Sequence, residues 1–237
     1  MTPDVLGIVG AMQVEIDAIL AAMTVTGAVN KADCRFIIGR LGNTPVAVAR
    51  CGAGKLNAAI CTQALIDLFT PCAVINIGVA GGLDNNLEVG DVVVATDCVQ
   101  YDFDTRALGD ELGVFNSPSR VTYKAVPCHF SFSDDIADVA RQLGQYVHRG
   151  RIATGDTFIA DGEQRSHLIR EFGAAACDME GAAVAYTCLL NLVPCAVLRS
   201  ISDNANGNAS VSFNEFAESA ALVAQQIIKA ACEGDCL

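Results

Sequence analysis

Three acidic side chains stand at places where an α/β sheet would present them to a ligand. Glu15 follows the first apolar segment, Glu180 follows the apolar segment 174–177, and Asp203 comes directly after the apolar run 196–201. Ligands of open α/β sheets bind at the carboxyl ends of the strands. Because carboxyl groups in different surroundings can hold different protonation states, one can serve as base and another as acid. These three residues are candidates for acid–base chemistry.

Each of the three acids also has an ordinary structural explanation. Acidic residues are favoured at helix N-termini, and an Asp is common in a turn such as Ser202-Asp-Asn-Ala-Asn-Gly207. Taken singly, each acid is better explained by a structural role. Only their joint position at one sheet edge favours a role in acid–base catalysis. Arg199 is different, because a charged residue within an apolar strand must be paired when it is buried. We predict a structural ion pair for Arg199.

The glycine-rich turns give weaker signals. Cys51-Gly-Ala-Gly-Lys55 resembles a phosphate loop, but Ala49 and Leu56 stand where a Walker A motif needs Gly and Ser or Thr. No dinucleotide fingerprint follows the first strand. Gly78-Val-Ala-Gly-Gly82 is predicted to be a turn at the carboxyl end of a buried strand, the edge at which ligands bind.

The sequence offers little for metal, covalent or cofactor chemistry. Its 11 cysteines are scattered through apolar segments, so we expect reduced core residues rather than a disulfide framework. There is no Cys-x-x-Cys pair, and the three histidines are isolated from one another, so no metal is expected. There is no Gly-x-Ser-x-Gly elbow, and no cysteine has a positively charged neighbour in a recognisable catalytic context, which sets covalent catalysis aside. No cofactor is expected.

Composition narrows the class of protein further. The 237 residues include 27 acidic and 15 basic side chains, giving a net charge of −12, and 52% are apolar. No basic stripe is available for nucleic acid or an anionic membrane, so the expected partner is a small molecule. Apolar runs are far shorter than the ~20 residues of a membrane span, and the N-terminus lacks a signal-peptide pattern. We expect a soluble, cytoplasmic protein with one domain over residues 1–237.

Short β-branched runs alternate with segments of helical period, which predicts an α/β fold with a mixed, largely parallel central sheet flanked by helices. The predicted strands are 5–9, 35–41, 46–50, 73–77, 91–96, 151–154, 174–177 and 196–201. The predicted helices are 12–23, 55–69, 133–143, 162–172, 179–190 and 213–231.

Two segments carry additional signals. Ser212 and Glu215 have the spacing of a capping box at the start of the last predicted helix. Residues 101–127 lack a clear period and are long for a simple connection, so we place this segment over a site or at a subunit contact.

Seven spaced motifs, in order along nearly the whole chain, resemble the nucleoside phosphorylase and nucleosidase superfamily, and within it the 5′-methylthioadenosine/S-adenosylhomocysteine nucleosidases. The motifs are Gly7-Ile-Val-Gly-Ala-Met-Gln-Val-Glu15, Gly52-Ala-Gly-Lys55, Asn76-Ile-Gly-Val-Ala-Gly-Gly-Leu83, Gly155-Asp-Thr-Phe-Ile159, Asp178-Met-Glu-Gly-Ala-Ala183, Arg199-Ser-Ile-Ser-Asp203 and Ser212-Phe-Asn-Glu-Phe216.

The resemblance implies hydrolysis of an N-glycosidic bond, which yields adenine and a 5-substituted ribose. Glu15 matches the carboxylate that activates water, Asp203 the acid that protonates the purine at N7, and Glu180 the residue that binds the ribose hydroxyls. The chemistry is consistent, because a proton on N7 improves adenine as a leaving group while carboxylates stabilise the cationic sugar.

The resemblance also implies the surroundings of the substrate. Met179 matches the position against the ribose, Phe158 the position against the base, and the backbone of Ile159 the group that reads the base edge. Met12 and Phe213 match positions around an apolar 5′ substituent. Segment 101–127 matches a region that reaches the neighbouring site of a homodimer.

Two departures from the family pattern leave the preferred 5′ group open. Val79 stands where Ser or Thr is common, and Ala53 stands where a larger apolar residue is usual. A futalosine or aminofutalosine nucleosidase is therefore an alternative. A purine nucleoside phosphorylase is less favoured, because no arginine lies near the N-terminal turn to bind phosphate. A catalytically silent nucleoside-binding protein is the remaining alternative, and the presence of both Glu15 and Asp203 argues against it.

Overall fold

A mixed sheet forms the centre of the molecule, and a computed structural model describes its residues 5–234. The strands are β1 Leu6–Gly10, β2 Thr24–Lys31, β3 Cys34–Leu41, β4 Thr44–Arg50, β5 Ala73–Gly82, β6 Val92–Gln100, β7 Phe115–Asn116, β8 Thr122–Tyr123, β9 Val126–Pro127, β10 Val147–Thr154, β11 Ala174–Asp178 and β12 Cys195–Asp203. The helices are α1 Asp17–Ala22, α2 Lys55–Phe69, α3 Phe130–Gln142, α4 Gly162–Phe172, α5 Gly181–Leu190 and α6 Ala209–Glu233, with 3₁₀ turns at Gln13–Glu15 and Arg106–Leu108.

The strand order is β11-β10-β6-β12-β5-β1-β4-β3-β2, and the central strands β4, β1, β5 and β12 run parallel. The strands β2, β3 and β4 form an antiparallel meander at one end. At the other end β11 also pairs with β5, so that β5, β12, β6, β10 and β11 close on themselves. The predicted mixed sheet is confirmed, and its parallel pairings join β4, β1, β5 and β12 and, separately, β6, β10 and β11.

Helices cover both faces of the sheet, which explains why the central strands are apolar on both sides. Successive residues of β1 point to opposite faces: Val9 packs in the core beneath α2 and α5, and Ile8 in the core beneath α1, α3 and α6. Helix α4 packs against β10 and β11. This helix begins where Asp161 accepts a hydrogen bond from Gln164 N–H and ends at Gly173 in the left-handed region.

Four details of the predicted elements are wrong. The segment 12–23 is two short pieces separated at Ile16, because the Glu15 carboxylate turns back to accept backbone N–H groups. The expected turn 78–82 continues β5, since its backbone pairs with β12 and β11. Helix α6 begins at Ala209 with Asn208 as N-cap, so Ser212 lies inside the helix and forms no capping box. Strand β2 was not predicted, because it is an exposed edge strand.

The cysteines match the expectation for core residues. Nine of those within residues 5–234 are buried and none of these nine forms a disulfide, whereas Cys72 is exposed and Cys236 lies outside the described residues. Between residues 5 and 234, no helix has the length and hydropathy needed to cross a membrane.

Candidate active site

A cavity of about 220 Å³ opens where the carboxyl ends of β1, β10, β11 and β12 meet the C-terminal half of β5. Its position follows the rule that loops diverge from the carboxyl edge of a parallel sheet and leave a crevice there. The cavity is lined by Ala11, Met12, Glu15, Ala53, Val79, Ala80, Gly81, Thr157, Phe158, Ile159, Cys177, Asp178, Met179, Glu180, Ser202, Asp203 and Phe213.

All ten candidate residues from the sequence line this one cavity. They are Glu15, Asp203, Glu180, Met179, Phe158, Ile159, Val79, Met12, Phe213 and Ala53. They come from seven separate segments of the chain, so the fold brings them together. The lining residues missed by sequence reasoning include Asp178, which accepts from Arg199, and Ser202, whose hydroxyl donates to Asp203.

Glu15 is held in one orientation by the backbone. Its Oε2 accepts hydrogen bonds from Ala11 N–H at 2.7 Å and Met12 N–H at 2.8 Å, and its Oε1 accepts one from Val79 N–H at 3.0 Å. A Cβ at position 78 would lie 2.7 Å from Glu15 Oε1, so a side chain there would displace the carboxylate. Burial raises the pKa of Glu15, and these hydrogen bonds together with Arg199 oppose the rise.

Glu180 lies at the N-cap of α5 and is also buried. Its Oε1 accepts a hydrogen bond of 2.7 Å from Gly54 N–H, which joins it to the turn before α2. Burial and the nearby Asp178 raise the pKa of Glu180 to about 7, although Arg199 and the Gly54 hydrogen bond act in the opposite direction. Glu180 therefore exchanges protons near neutral pH.

Asp203 is the last residue of β12 and is 2% exposed. Its Oδ1 accepts from Ala205 N–H at 2.8 Å and its Oδ2 from the Ser202 hydroxyl at 2.9 Å. Burial raises the pKa of Asp203 in spite of these two hydrogen bonds. A carboxyl in this setting can hold a proton and release it to a base on the ligand.

Arg199 lies beneath the floor of the cavity and is paired, as predicted from the sequence. Its guanidinium donates to Asp178 Oδ2 at 3.0 and 2.6 Å, and also to the side chain of Asn76. Thr154 donates a hydrogen bond of 2.5 Å to the other oxygen of Asp178. The sequence does carry a signal for this partner, because Asp178 is an acid directly after the apolar segment 174–177.

The opposite part of the cavity is apolar. Phe158 and Phe213 meet edge to face with ring centroids 5.4 Å apart, and Met12 and Ala53 line the same cavity. Ile159 is buried, whereas Phe158 is 42% exposed and so lies at the mouth. The cavity therefore suits a ligand with one polar part beside the carboxyls and one apolar part beside the aromatic rings.

Similarity to known proteins agrees with this geometry. Residues 5–233 match the Phosphorylase superfamily. A 5′-methylthioadenosine/S-adenosylhomocysteine nucleosidase of Exiguobacterium sp. is 40% identical over 226 residues, which span 94% of this chain and 95% of that protein.

Solved structures share the whole fold. A 5′-methylthioadenosine/S-adenosylhomocysteine nucleosidase of Helicobacter pylori, solved with a pyrrolopyrimidine ligand, superposes with a TM-score of 0.92 at 35% identity over 100% of both chains. A futalosine hydrolase of Helicobacter pylori gives a TM-score of 0.91 at 35% identity over 99% of this chain and 98% of that one. The chain belongs to the phosphorylase superfamily and, within it, to the 5′-methylthioadenosine/S-adenosylhomocysteine nucleosidases.

Proposed function

We propose that this protein hydrolyses the N-glycosidic bond of 5′-methylthioadenosine and S-adenosylhomocysteine, releasing adenine and a 5-substituted ribose. A single nucleosidase domain over residues 1–237 performs the reaction. The observation that carries the proposal is the placement of two buried carboxyls, Glu15 and Asp203, in one cavity that also offers an apolar half. The nucleosidase relatives support the choice of substrate.

Glu15 is the base in this mechanism. It holds a water molecule against the anomeric carbon and removes its proton as the glycosidic bond stretches. Three backbone N–H groups fix the carboxylate, so it needs no reorientation during the reaction. Its raised pKa makes the ionised group a stronger proton acceptor than an exposed glutamate.

Asp203 is the acid in this mechanism. It donates its proton to N7 of the purine, and adenine then leaves as a neutral molecule rather than as an anion. Its burial at the end of β12 favours the protonated form, because a charged carboxyl there would lose solvation. The backbone of Ile159 reads the base edge, and Phe158 packs against the base.

The remaining lining residues hold the sugar and its substituent. Glu180 accepts hydrogen bonds from the ribose hydroxyls, and Met179 packs against the ribose. The apolar 5′ substituent lies against Met12, Phe213 and Ala53. The Helicobacter pylori nucleosidase was solved with a ligand that carries a prop-2-ynylthio group, which supports an apolar thioether subsite.

The cavity favours hydrolysis over phosphorolysis. Phosphate recognition would require cationic or anion-binding groups beside the anomeric carbon. None of the described residues that line the cavity is Lys or Arg, and Arg199 already donates to Asp178, Asn76 and a backbone carbonyl. Glu15 and Glu180 on that side would repel a phosphate.

A release assay tests the proposed function. We expect adenine to appear from 5′-methylthioadenosine in a phosphate-free buffer at the same rate as with phosphate added. Strict dependence on phosphate would replace the hydrolase with a phosphorylase. Binding of the nucleoside without any adenine release would replace it with a silent binding protein.

A futalosine-type substrate is the second candidate, and two observations favour it. The futalosine hydrolase of Helicobacter pylori shares the fold over nearly the whole chain. Ala53 is small and exposed at the cavity, which leaves room beside the 5′ position. Parallel kcat/KM measurements on 5′-methylthioadenosine, S-adenosylhomocysteine and aminofutalosine decide between the candidates.

We also propose that the protein is a cytoplasmic homodimer. Exposed apolar residues on α2 and in segment 101–127, among them Leu56, Ile60 and Leu108, support a second copy as the partner. The nine buried cysteines that form no disulfide suit a reducing compartment. Light scattering coupled to size exclusion tests the dimer, since a monomer mass would contradict it.

A further inference from the structure

Three chain segments are joined beside the cavity by a closed ring of hydrogen bonds. Lys55 N–H donates to Asp156 Oδ1 at 2.8 Å, and Asp156 N–H donates to Asp102 Oδ2 at 2.9 Å. The ammonium of Lys55 closes the ring by donating to Asp102 Oδ1 at 2.5 Å. Each bond has an ionised partner, which makes it stronger than a neutral hydrogen bond.

Two of these segments are walls of the cavity. Lys55 follows the turn that carries Ala53, and Asp156 directly precedes Thr157, Phe158 and Ile159. In the proposed function the first wall lies beside the 5′ substituent and the second beside the base. Asp102 itself does not line the cavity and comes at the start of segment 101–127.

Further hydrogen bonds link the residues next to this ring to the two walls and to Glu180. The Tyr101 hydroxyl donates to the Thr157 carbonyl at 3.2 Å, next to the ring. Gly54, between Ala53 and Lys55, has a φ of +95° and donates its N–H to Glu180 inside the cavity. A shift of the turn 53–55 would therefore move the hydrogen bond partner of Glu180 as well.

An isolated ion pair between Lys55 and Asp102 would be a common surface feature with little effect. This pair differs in two respects. Its side chains are only 18% and 27% exposed. Both residues are also bonded to Asp156, Lys55 through its backbone N–H and Asp102 through its carboxylate, and Asp156 leads into the base wall. Removing Asp102 leaves the Lys55 ammonium and the Asp156 N–H without these partners, so that the Lys55 N–H to Asp156 Oδ1 bond is the one bond of the ring still joining the two walls.

We propose that Asp102 is a positioning residue, which holds the 5′ wall and the base wall at the spacing that a nucleoside spanning both walls requires. This inference rests on the proposed function. Adenine contacts only the base wall, whereas 5′-methylthioadenosine contacts both. Loss of Asp102 should therefore weaken binding of the nucleoside and leave binding of adenine nearly unchanged.

The experiment compares wild type with Asp102→Ala and Lys55→Met. Lys55→Met keeps the backbone bond to Asp156 and an unbranched apolar side chain of similar reach, and removes the ammonium. The matched control is Asp104→Ala, which breaks an exposed ion pair with Arg106 in the same segment. The measurements are KM and kcat on 5′-methylthioadenosine, the pH profile of kcat, and the Kd of adenine and of a non-cleavable nucleoside analogue.

For Asp102→Ala we expect KM and the analogue Kd to rise about tenfold, as after a small displacement of positioning groups. We expect kcat at its optimum and the adenine Kd to stay within about twofold, because Glu15 and Asp203 are not touched. Any movement of the pH profile should be toward higher pH, because displacement of Gly54 weakens a hydrogen bond that lowers the pKa of Glu180. Lys55→Met should give a smaller change of the same kind. The effects of the two substitutions should not add in the double variant, since both remove the same Lys55–Asp102 bond.

Several results would overturn the inference. An unchanged analogue Kd in Asp102→Ala, or an adenine Kd that rises as much as that of the analogue, removes the positioning role. If Asp102→Ala does not fold, a wild-type KM in Lys55→Met would likewise remove the positioning role. A wild-type protein that releases no adenine overturns the proposed function first, before any variant is compared.

Discussion

Arg199 and Asp178 form an ion pair with an N···O distance of 2.6 Å, and each side chain is 1% exposed. The pair is close enough to Glu15 and Glu180 that the charge of Arg199 opposes the rise that burial causes in the pKa of each. Because the Asp178 carboxylate is bonded to Arg199 and also accepts from Gly181 N–H, one buried charge supports the site and the start of α5.

Replacing Arg199 with Met should destabilise the protein by about 3–5 kcal/mol, because Asp178 is then a buried charge without its partner. We further expect the acid limb of the kcat/KM pH profile to move to higher pH, since Glu15 and Glu180 lose a nearby positive charge. Urea unfolding and pH-dependent kinetics measure the two effects.

Arg106→Met is the matched control, because Arg106 and Asp104 form an ion pair of the same length that is largely exposed. It should change stability little. The double variant Arg199→Met with Asp178→Asn should recover part of the lost stability, since no charge is then left buried. Equal stability changes for Arg199→Met and Arg106→Met would contradict this account.

Gly78→Ala should lower kcat roughly tenfold to a hundredfold, because the new Cβ would lie 2.7 Å from Glu15 Oε1 and displace the carboxylate. Gly27→Ala is the control, since a Cβ at position 27 meets nothing within 4 Å. Steady-state kinetics of the two variants checks this prediction. An unaffected kcat in Gly78→Ala would show that the orientation of Glu15 is not needed for turnover.

Glu15→Gln and Asp203→Asn should each lower kcat by about 10² or more, because each removes a proton-transfer group while keeping its size. Binding should be less affected, which calorimetry with a non-cleavable analogue measures. Asp17→Asn is the control, since Asp17 is two residues from Glu15 but exposed. Near-wild-type turnover in either of the first two variants would remove the proposed mechanism.

The sequence allowed the candidate site to be predicted better than the local structure around it. Glu15, Glu180 and Asp203 follow separate strands, and the carboxyl-edge rule alone places them together. The strand at positions 78–82 could not be foreseen, because its glycine-rich pattern is that of a turn until pairing with β11 and β12 is known. Likewise, the Glu15 carboxylate that interrupts the predicted helix 12–23 also accepts from Val79 N–H, a contact between distant segments that the sequence does not show.

Glu180→Gln should make the protein more stable at alkaline pH while weakening nucleoside binding. The folded pKa of about 7 lies above the ordinary 4.5, so the native state binds a proton that the unfolded chain releases between these values. Stability is therefore fully present below about pH 4 and decreases as the pH rises through 7, by about 3 kcal/mol at most. The amide removes this loss, and its oxygen can still accept from Gly54 N–H.

We expect the Tm of Glu180→Gln to exceed that of wild type by roughly 5–10 °C at pH 8.5 and to match it near pH 4.5. Glu218→Gln, at an exposed position on α6, should show no such pH-dependent difference. Thermal unfolding across this pH range measures both variants. A Glu180→Gln protein that is less stable than wild type at pH 8.5 would mean that the ionised carboxylate stabilises the fold, because its attraction to Arg199 then outweighs the loss of solvation.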